Sequence, residues 1–280
     1  MTFSPATIAG FLAIGLWALL AWLTTMTAGL PPFLVTAITF GIGGLAGLAV
    51  VAARGQLAAL RQPLSAWALG VVGLFGYHAA YFAALKLAPP AEVSLVNYLW
   101  PLLIVLFSGF LPGERLLMRH VTGALLGFAG VAVLAVSKGG FSGGQWAGYA
   151  LGLLAAFLWS AYSVLSRRMA DVPTEAVAGF CLATALLAGA VHLAVEPRVL
   201  PSASAWVALV ALGLGPVGAA FFLWDAGMKR GDIRLLGLAS YATPVLSTLV
   251  LILAGQAEPS LALLLACALI VVGAVVARRG

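Results

Sequence analysis

The hydrophobic positions of this chain fall in long unbroken runs rather than in the alternating or three-to-four pattern of a soluble fold. A helix needs about 17–25 apolar residues to cross the hydrocarbon core of a bilayer. Ten runs meet that length, near residues 8–26, 32–52, 66–86, 91–111, 120–137, 146–166, 175–194, 204–227, 234–254 and 260–277. The links are short and rich in Gly, Pro, Arg and Lys, as in Pro112-Gly113-Glu114-Arg115 and Lys229-Arg230-Gly231-Asp232, and none is long enough for a soluble domain. The expected fold class is an all-α membrane protein of ten transmembrane helices. The first run lacks a basic leader and has too long an apolar part for a cleaved signal, so it is read as a helix of the bundle.

Composition agrees. Of 280 residues, 63% are hydrophobic and 8% charged, where a soluble domain carries about a quarter charged. The net charge of +6 suggests nucleic acid in a soluble protein. Here the basic residues sit in loops and set topology instead. Arg54, Arg61, Arg115, Arg119, Arg167, Arg168, Lys229, Arg230, Arg234, Arg278 and Arg279 fall on one side, against Lys86, Lys138 and Arg198 on the other. The excess marks the cytoplasm. Both termini are expected there, which the even helix count also requires. Trp67, Trp146 and Trp206 open the third, sixth and eighth runs and read as interfacial anchors. Cys181 and Cys267 lie in apolar runs with no ligand partner at metal spacing, so neither a disulfide nor a metal is expected.

The chain repeats itself. Gly10, Leu12, Ala13, Leu16 and Trp17 recur at a shift of 142 as Gly152, Leu154, Ala155, Leu158 and Trp159, and Pro31 recurs as Pro173. Later the shift is 143, taking Lys86 to Lys229, Tyr98 to Tyr241, Pro101 to Pro244 and Gly130 to Gly273. Residues 1–140 and 141–280 each hold five runs. Five is odd, so the second half enters the membrane from the opposite side. Inverted repeats of this kind place a substrate site near the midplane between the halves.

Two stretches stand out within this frame: Asn97-Tyr98-Leu99-Trp100-Pro101 and Ser240-Tyr241-Ala242-Thr243-Pro244. With the duplicated unit, the Gly-x-x-x-x-x-x-Trp pattern opening each half and the Pro-Gly-Glu-Arg after the fourth run, they make the whole chain resemble the drug/metabolite transporter superfamily, in its EamA-type ten-helix branch. The likeness is greatest to the branch's bacterial exporters of aromatic amino acids. The resemblance implies an inner-membrane exporter of amino acids and related amphiphilic metabolites, working by alternating access. Thr243 stands where the first half has Trp100, so an asymmetric pocket is expected.

Candidate chemistry lies in the runs. His78 sits mid-run, where ionisable groups usually face a cavity because a charge there costs about 2.5–3.5 kcal/mol. It is read as a donor to a substrate carboxylate or as a titrating group, against a plain bond to a neighbouring helix. Tyr81 shares its face. Asn97 and Tyr98 offer hydrogen bonds and Trp100 a stacking or cation–π plane. Tyr98 and Trp100, two apart, are expected on different faces, one in the cavity and one bracing it. Trp17 and Trp159 read as pocket walls, with Tyr162 on the face of Trp159 and Tyr241 as the mate of Tyr98. Pro101 and Pro244 expose the carbonyls four residues back and kink or gate their helices. Asp225 is solvated or paired with Lys229, or else a gate or proton site. His192 reads as interfacial, and the many glycines as close helix packing.

No P-loop is present, so no cofactor or ATP drive is expected. An intramembrane enzyme lacks support, with no His-Glu-x-x-His and no membrane aspartate pair. Its only Ser-Gly-Gly, Ser142-Gly143-Gly144, is expected in a polar outer loop. Phosphorylated substrates want Lys or Arg in the pocket, and cationic drugs want a buried carboxylate, for which Asp225 alone competes. A small amphiphilic zwitterion fits best, with the lipid bilayer as the surroundings and no nucleic acid or obligate protein partner.

Overall fold

The computed structural model describes residues 3–137 and 145–278. Lys138, Ser142, Gly143, Gly144 and Arg279, singled out above, lie outside the described residues. The described chain is helical throughout, with short 3-10 and π turns. Among the described residues nine helices are long and apolar enough to cross a membrane: α1 (Pro5–Thr25), α2 (Pro32–Ala53), α3 (Leu64–Leu87), α4 (Pro90–Ser108), α5 (Met118–Ser137), α6 (Trp146–Arg168), α7 (Thr174–Val195), α8 (Ala203–Arg230) and α9 (Ile233–Leu253). A shorter apolar helix, α10 (Leu261–Ala277), follows. Each matches one of the apolar runs within a few residues.

Local chemistry sets the starts. Proline, whose missing N–H costs nothing in a first turn, opens α1, α2 and α4. Ser4 caps Thr7, Ser202 caps Ala205 and Asp232 caps Leu235. Gly113, at φ +79°, takes the left-handed turn that reverses the chain between α4 and α5. The outward faces carry Leu12, Leu45, Leu125, Leu186 and Leu264, all well exposed, while buried Ser, Thr, Asp and Trp point inward. That reversal of the soluble pattern is what a lipid solvent selects.

Close packing depends on glycine. A Cβ on Gly123 of α5 would lie 2.6 Å from the Gly273 carbonyl of α10, and one on Gly130 2.9 Å from the Ala266 carbonyl. Gly43 of α2 meets Gly213 and Gly218 of α8, and Gly10 of α1 meets Gly227 of α8. In each case only the absence of a side chain permits the approach.

Three helices are broken and two more carry π turns. α1 breaks at Ala18-Leu19 and α4 at Tyr98-Leu99, ahead of Pro101. α9 breaks at Ser240-Tyr241, ahead of Pro244. The carbonyl expected to be exposed by Pro244 is instead bonded, Thr243 N–H donating to Ser240 O at 3.0 Å. π turns occupy Val72–Gly76 of α3 and Gly215–Ala219 of α8.

Two residues expected at the surface are less open than the sequence suggests. Trp67 is half-buried, packing edge-on against Phe180 at 5.3 Å and over Gly179. Trp146 and Trp206 are exposed as expected. His192 is buried, because Glu196 draws it in with a 2.9 Å bond while capping the Phe33 and Leu34 amides of α2.

Candidate functional site

A cavity of about 410 Å³ lies between α1, α2, α3, α4, α6, α8 and α9. Its floor is a cluster of rings at mid-bundle. Trp17 meets Trp100 at 6.4 Å, Trp159 at 5.7 Å and Trp224 at 5.0 Å, with Phe221 at 6.2 Å. Trp17 is fixed by its indole N–H donating to Pro216 O at 3.0 Å. From that floor the walls rise past Thr24, Val35 and Phe82. These residues close α1, open α2 and lie in the last turns of α3, at the end of the bundle opposite the arginine-rich one.

Seven of the nine expected binding residues line this cavity: Trp17, His78, Tyr81, Asn97, Tyr98, Trp100 and Trp159. Tyr98 and Trp100 both face it, contrary to the expectation for a continuous helix. The break at Tyr98-Leu99 ahead of Pro101 turns the chain between them. Tyr162 and Tyr241 do not line it. Tyr162 is buried beneath Trp159, its ring over Gly73, and Tyr241 is wholly buried against Gly127 of α5.

The sequence reading missed Tyr77, Phe40, Phe221 and Thr243. Tyr77 stacks on Tyr81 at 6.0 Å and accepts from Asn97 Nδ2 at 3.2 Å. Its signal was the i,i+4 spacing to Tyr81. Phe40 sits edge-on to His78 at 5.1 Å, an apolar ring in an apolar run.

Polar groups are few. His78 Nδ1 donates to Leu74 O at 2.7 Å. In the neutral ring this leaves Nε2 as an acceptor only, so neutral His78 cannot donate to a carboxylate. Tyr81 and Ser94 share a 3.0 Å bond. Thr36 and Thr39 spend their hydroxyl protons on carbonyls of their own helix. Asn97 Oδ1 and Thr243 Oγ1 are buried without a partner among the described residues. None of the described lining residues is Lys, Arg, Asp or Glu.

Below the floor side-chain bonds tie the helices together, although a second cavity of about 510 Å³ lies at that end between α2 and α8, lined by Arg54, Thr174 and Phe222. Trp224 donates to Ser163 Oγ at 3.0 Å, and Ser160 donates to Trp100 O at 2.9 Å. Asp225 is buried, not solvated: its Oδ2 accepts from Lys229 Nζ at 2.8 Å and Thr174 Oγ1 at 2.7 Å. At the end itself Glu114 bridges Arg167 and Arg234, each at 3.1 Å. Arg167 also donates to Met228 O and Gly231 O, and Arg168 to Phe110 O. These bonds join α6, α8, α9 and the α4–α5 link.

The model of the EamA-like transporter family matches residues 4–136 and again residues 146–279. The aromatic amino acid exporter YddG of Ancylobacter novellus is 60% identical over 281 residues, covering 99% of this chain and 98% of that protein. The aromatic amino acid exporter YddG of Escherichia coli K12 is 27% identical over 267 residues, covering 89% and 88%. A crystal structure 60% identical in sequence superposes with a TM-score of 0.96 over 99% of this chain and 97% of the other. With both halves matched and a full-length relative at that identity, this chain belongs to the EamA-like transporter family.

Proposed function

We propose that this protein exports amino acids with aromatic side chains, and related amphiphiles, across the bacterial cytoplasmic membrane as a secondary transporter. The observation that carries this is the cavity: about 410 Å³, within the range of small-molecule sites, walled by rings and free of ionic side chains. Its rings stack on an aromatic side chain and present π faces to an ammonium. His78 Nε2 accepts from that ammonium. Tyr77, already accepting from Asn97, keeps its own proton for the carboxylate. The named activity of the 60%-identical relative points the same way.

Alternating access between two inverted five-helix halves, residues 1–140 and 141–280, is the mechanism proposed. It is supported by features that a shift of 143 exchanges. The π turns at Val72–Gly76 and Gly215–Ala219 are mates. The Gly123–Gly273 contact becomes the Ala266–Gly130 contact. The breaks before Pro101 and Pro244 coincide. With the arginine-rich end and both termini in the cytoplasm, the cavity faces outward and Glu114, Arg167 and Arg234 close the inner side. Asp225 belongs to that closure, and no cofactor takes part.

Uptake of labelled tryptophan, phenylalanine and threonine into liposomes tests the reading. Saturable uptake of the two aromatic substrates in preference to threonine, lost in Trp100→Ala, supports it. Folded protein with uptake no better than empty liposomes overturns it.

A further inference from the structure

We propose that a second substrate-contact surface, closed here, opens toward the arginine-rich end and holds an amino acid zwitterion between Asp225 and Lys229 with its ring against Trp224. This rests on the inverted-repeat reading above. Leu20, Ala21, Thr24, Thr39 and Phe82 line the open cavity. Their repeat mates are Tyr162, Ser163, Ser166, Cys181 and Asp225, and every one is buried, with exposure of 3% or less. Exchanging the conformations of the two halves would turn these five from core into wall. The new wall differs in chemistry from the old: Phe82 becomes a carboxylate and Tyr81 becomes Trp224.

Two further observations point to the same surface. The Tyr162 hydroxyl is buried with no partner among the described residues. A stranded hydroxyl is costly in a finished core, and a state in which it meets substrate removes that cost. Helix α1 is also broken just after Trp17, with Ser247 donating to the freed Ala18 carbonyl at 2.8 Å. Its mate α6 runs unbroken past Trp159, with Ser160 donating to Ala156 O at 2.6 Å. The segment that has yielded beside the open cavity is intact beside the closed one.

The ligand class follows from the ion pair. Asp225 and Lys229 are bonded at 2.8 Å and nearly inaccessible. A buried pair of this kind adds little net stability, because desolvation offsets attraction. An amino acid zwitterion carries the same two charges. Its ammonium takes the place of Lys229 on Asp225, its carboxylate takes Lys229, and no charge is left unpaired.

Cys181 is a native reporter, since Cys267 is the only other cysteine. In Cys267→Ser protein reconstituted into liposomes, a membrane-impermeant maleimide is applied to each face while labelled tryptophan uptake is measured on the same preparation. Cys181 is expected to react from the arginine-rich face only. Its rate is expected to rise about tenfold when Glu114→Gln weakens the closure, equivalent to about 1.4 kcal/mol. Thr39→Cys, in protein lacking both native cysteines, is expected to react from the other face. Saturating tryptophan is expected to protect Cys181 at least about tenfold better than tryptamine or indole-3-propionate, each of which satisfies only one partner of the ion pair. A Cys181 that stays unreactive in protein that transports tryptophan overturns the proposal and leaves the function standing. Equal protection by the singly charged analogues overturns the zwitterion assignment. The predicted labelling in protein that moves no aromatic amino acid upholds the second surface and removes the proposed substrate.

Discussion

The two ends of the bundle are built from the same repeated unit and are held differently. At the arginine-rich end Glu114 bridges Arg167 and Arg234, and Asp225 holds Lys229 and Thr174. Their repeat mates at the open end are Ala257 for Glu114, Thr25 for Arg167, Ala91 for Arg234 and Phe82 for Asp225. One position is tied at both ends, to different partners: Thr7 accepts from the Asp232 amide at 3.0 Å at one end, and at the other its mate Tyr149 donates to Glu92, while the mate of Asp232 is Pro89. These bonds join α1 to the α8–α9 link and α6 to α4, whereas the ion pairs close a single face. On the proposed alternating-access mechanism the repeated backbone has two states, and these side chains choose between them.

Mate-by-mate substitution tests that contrast, most severely at Asp225. Asp225→Ala leaves the Lys229 ammonium buried without a counter-charge and is expected to cost about 3–5 kcal/mol, read as a fall in Tm of the detergent-solubilised protein. Phe82→Ala is half-buried beside an existing cavity and is expected to cost no more than about 2 kcal/mol. Equal losses would mean that Asp225 carries no special burden.

Trp100 and Thr243 form the next pair. Trp100→Ala removes a wall of the cavity and is expected to lower tryptophan uptake at low concentration at least about tenfold, the equivalent of 1.4 kcal/mol of lost ring contact. Thr243→Ala is expected to stay within about twofold, since it removes a single neutral hydroxyl.

Smaller effects are expected at the closure. Glu114→Gln weakens two charge-assisted bonds that are partly open to solvent and is expected to cost about 1–2 kcal/mol, again read as Tm. Building the missing tie at the open end with Ala257→Glu and Thr25→Arg is expected to slow uptake by about twofold to threefold, in line with an exposed ion pair of under about 1 kcal/mol. Unchanged uptake would show that this end does not close along the repeat's path.

Much of this was legible in the chain. The apolar runs gave the helices, because lipid tolerates neither polar faces nor irregular backbone. The repeat paired Trp17 with Trp159 and read both as pocket walls, and both line the cavity, at its floor. The proline elements located the breaks in α4 and α9, though not the one in α1. What the repeat misled on was Tyr241: a symmetric sequence predicts equivalent roles for Tyr98 and Tyr241, but one structure shows one state, and in it Tyr241 is core against Gly127. Tyr162 and Asp225 fall on the closed side for the same reason. Phe40 was illegible because an apolar residue in an apolar run looks the same whether it meets lipid, helix or cavity.

The central claim is that the two halves open to the two faces in turn around the aromatic cluster between them, and tryptophan counterflow tests it most directly. Liposomes loaded with unlabelled tryptophan are diluted into a trace of labelled tryptophan, and internal label is followed in time. A carrier alternating around one site is predicted to accumulate label transiently above the outside concentration, with the overshoot lost in Trp100→Ala. A simple rise to equilibrium with no overshoot, in protein that passes tryptophan, would contradict the account and indicate an open path through the bundle.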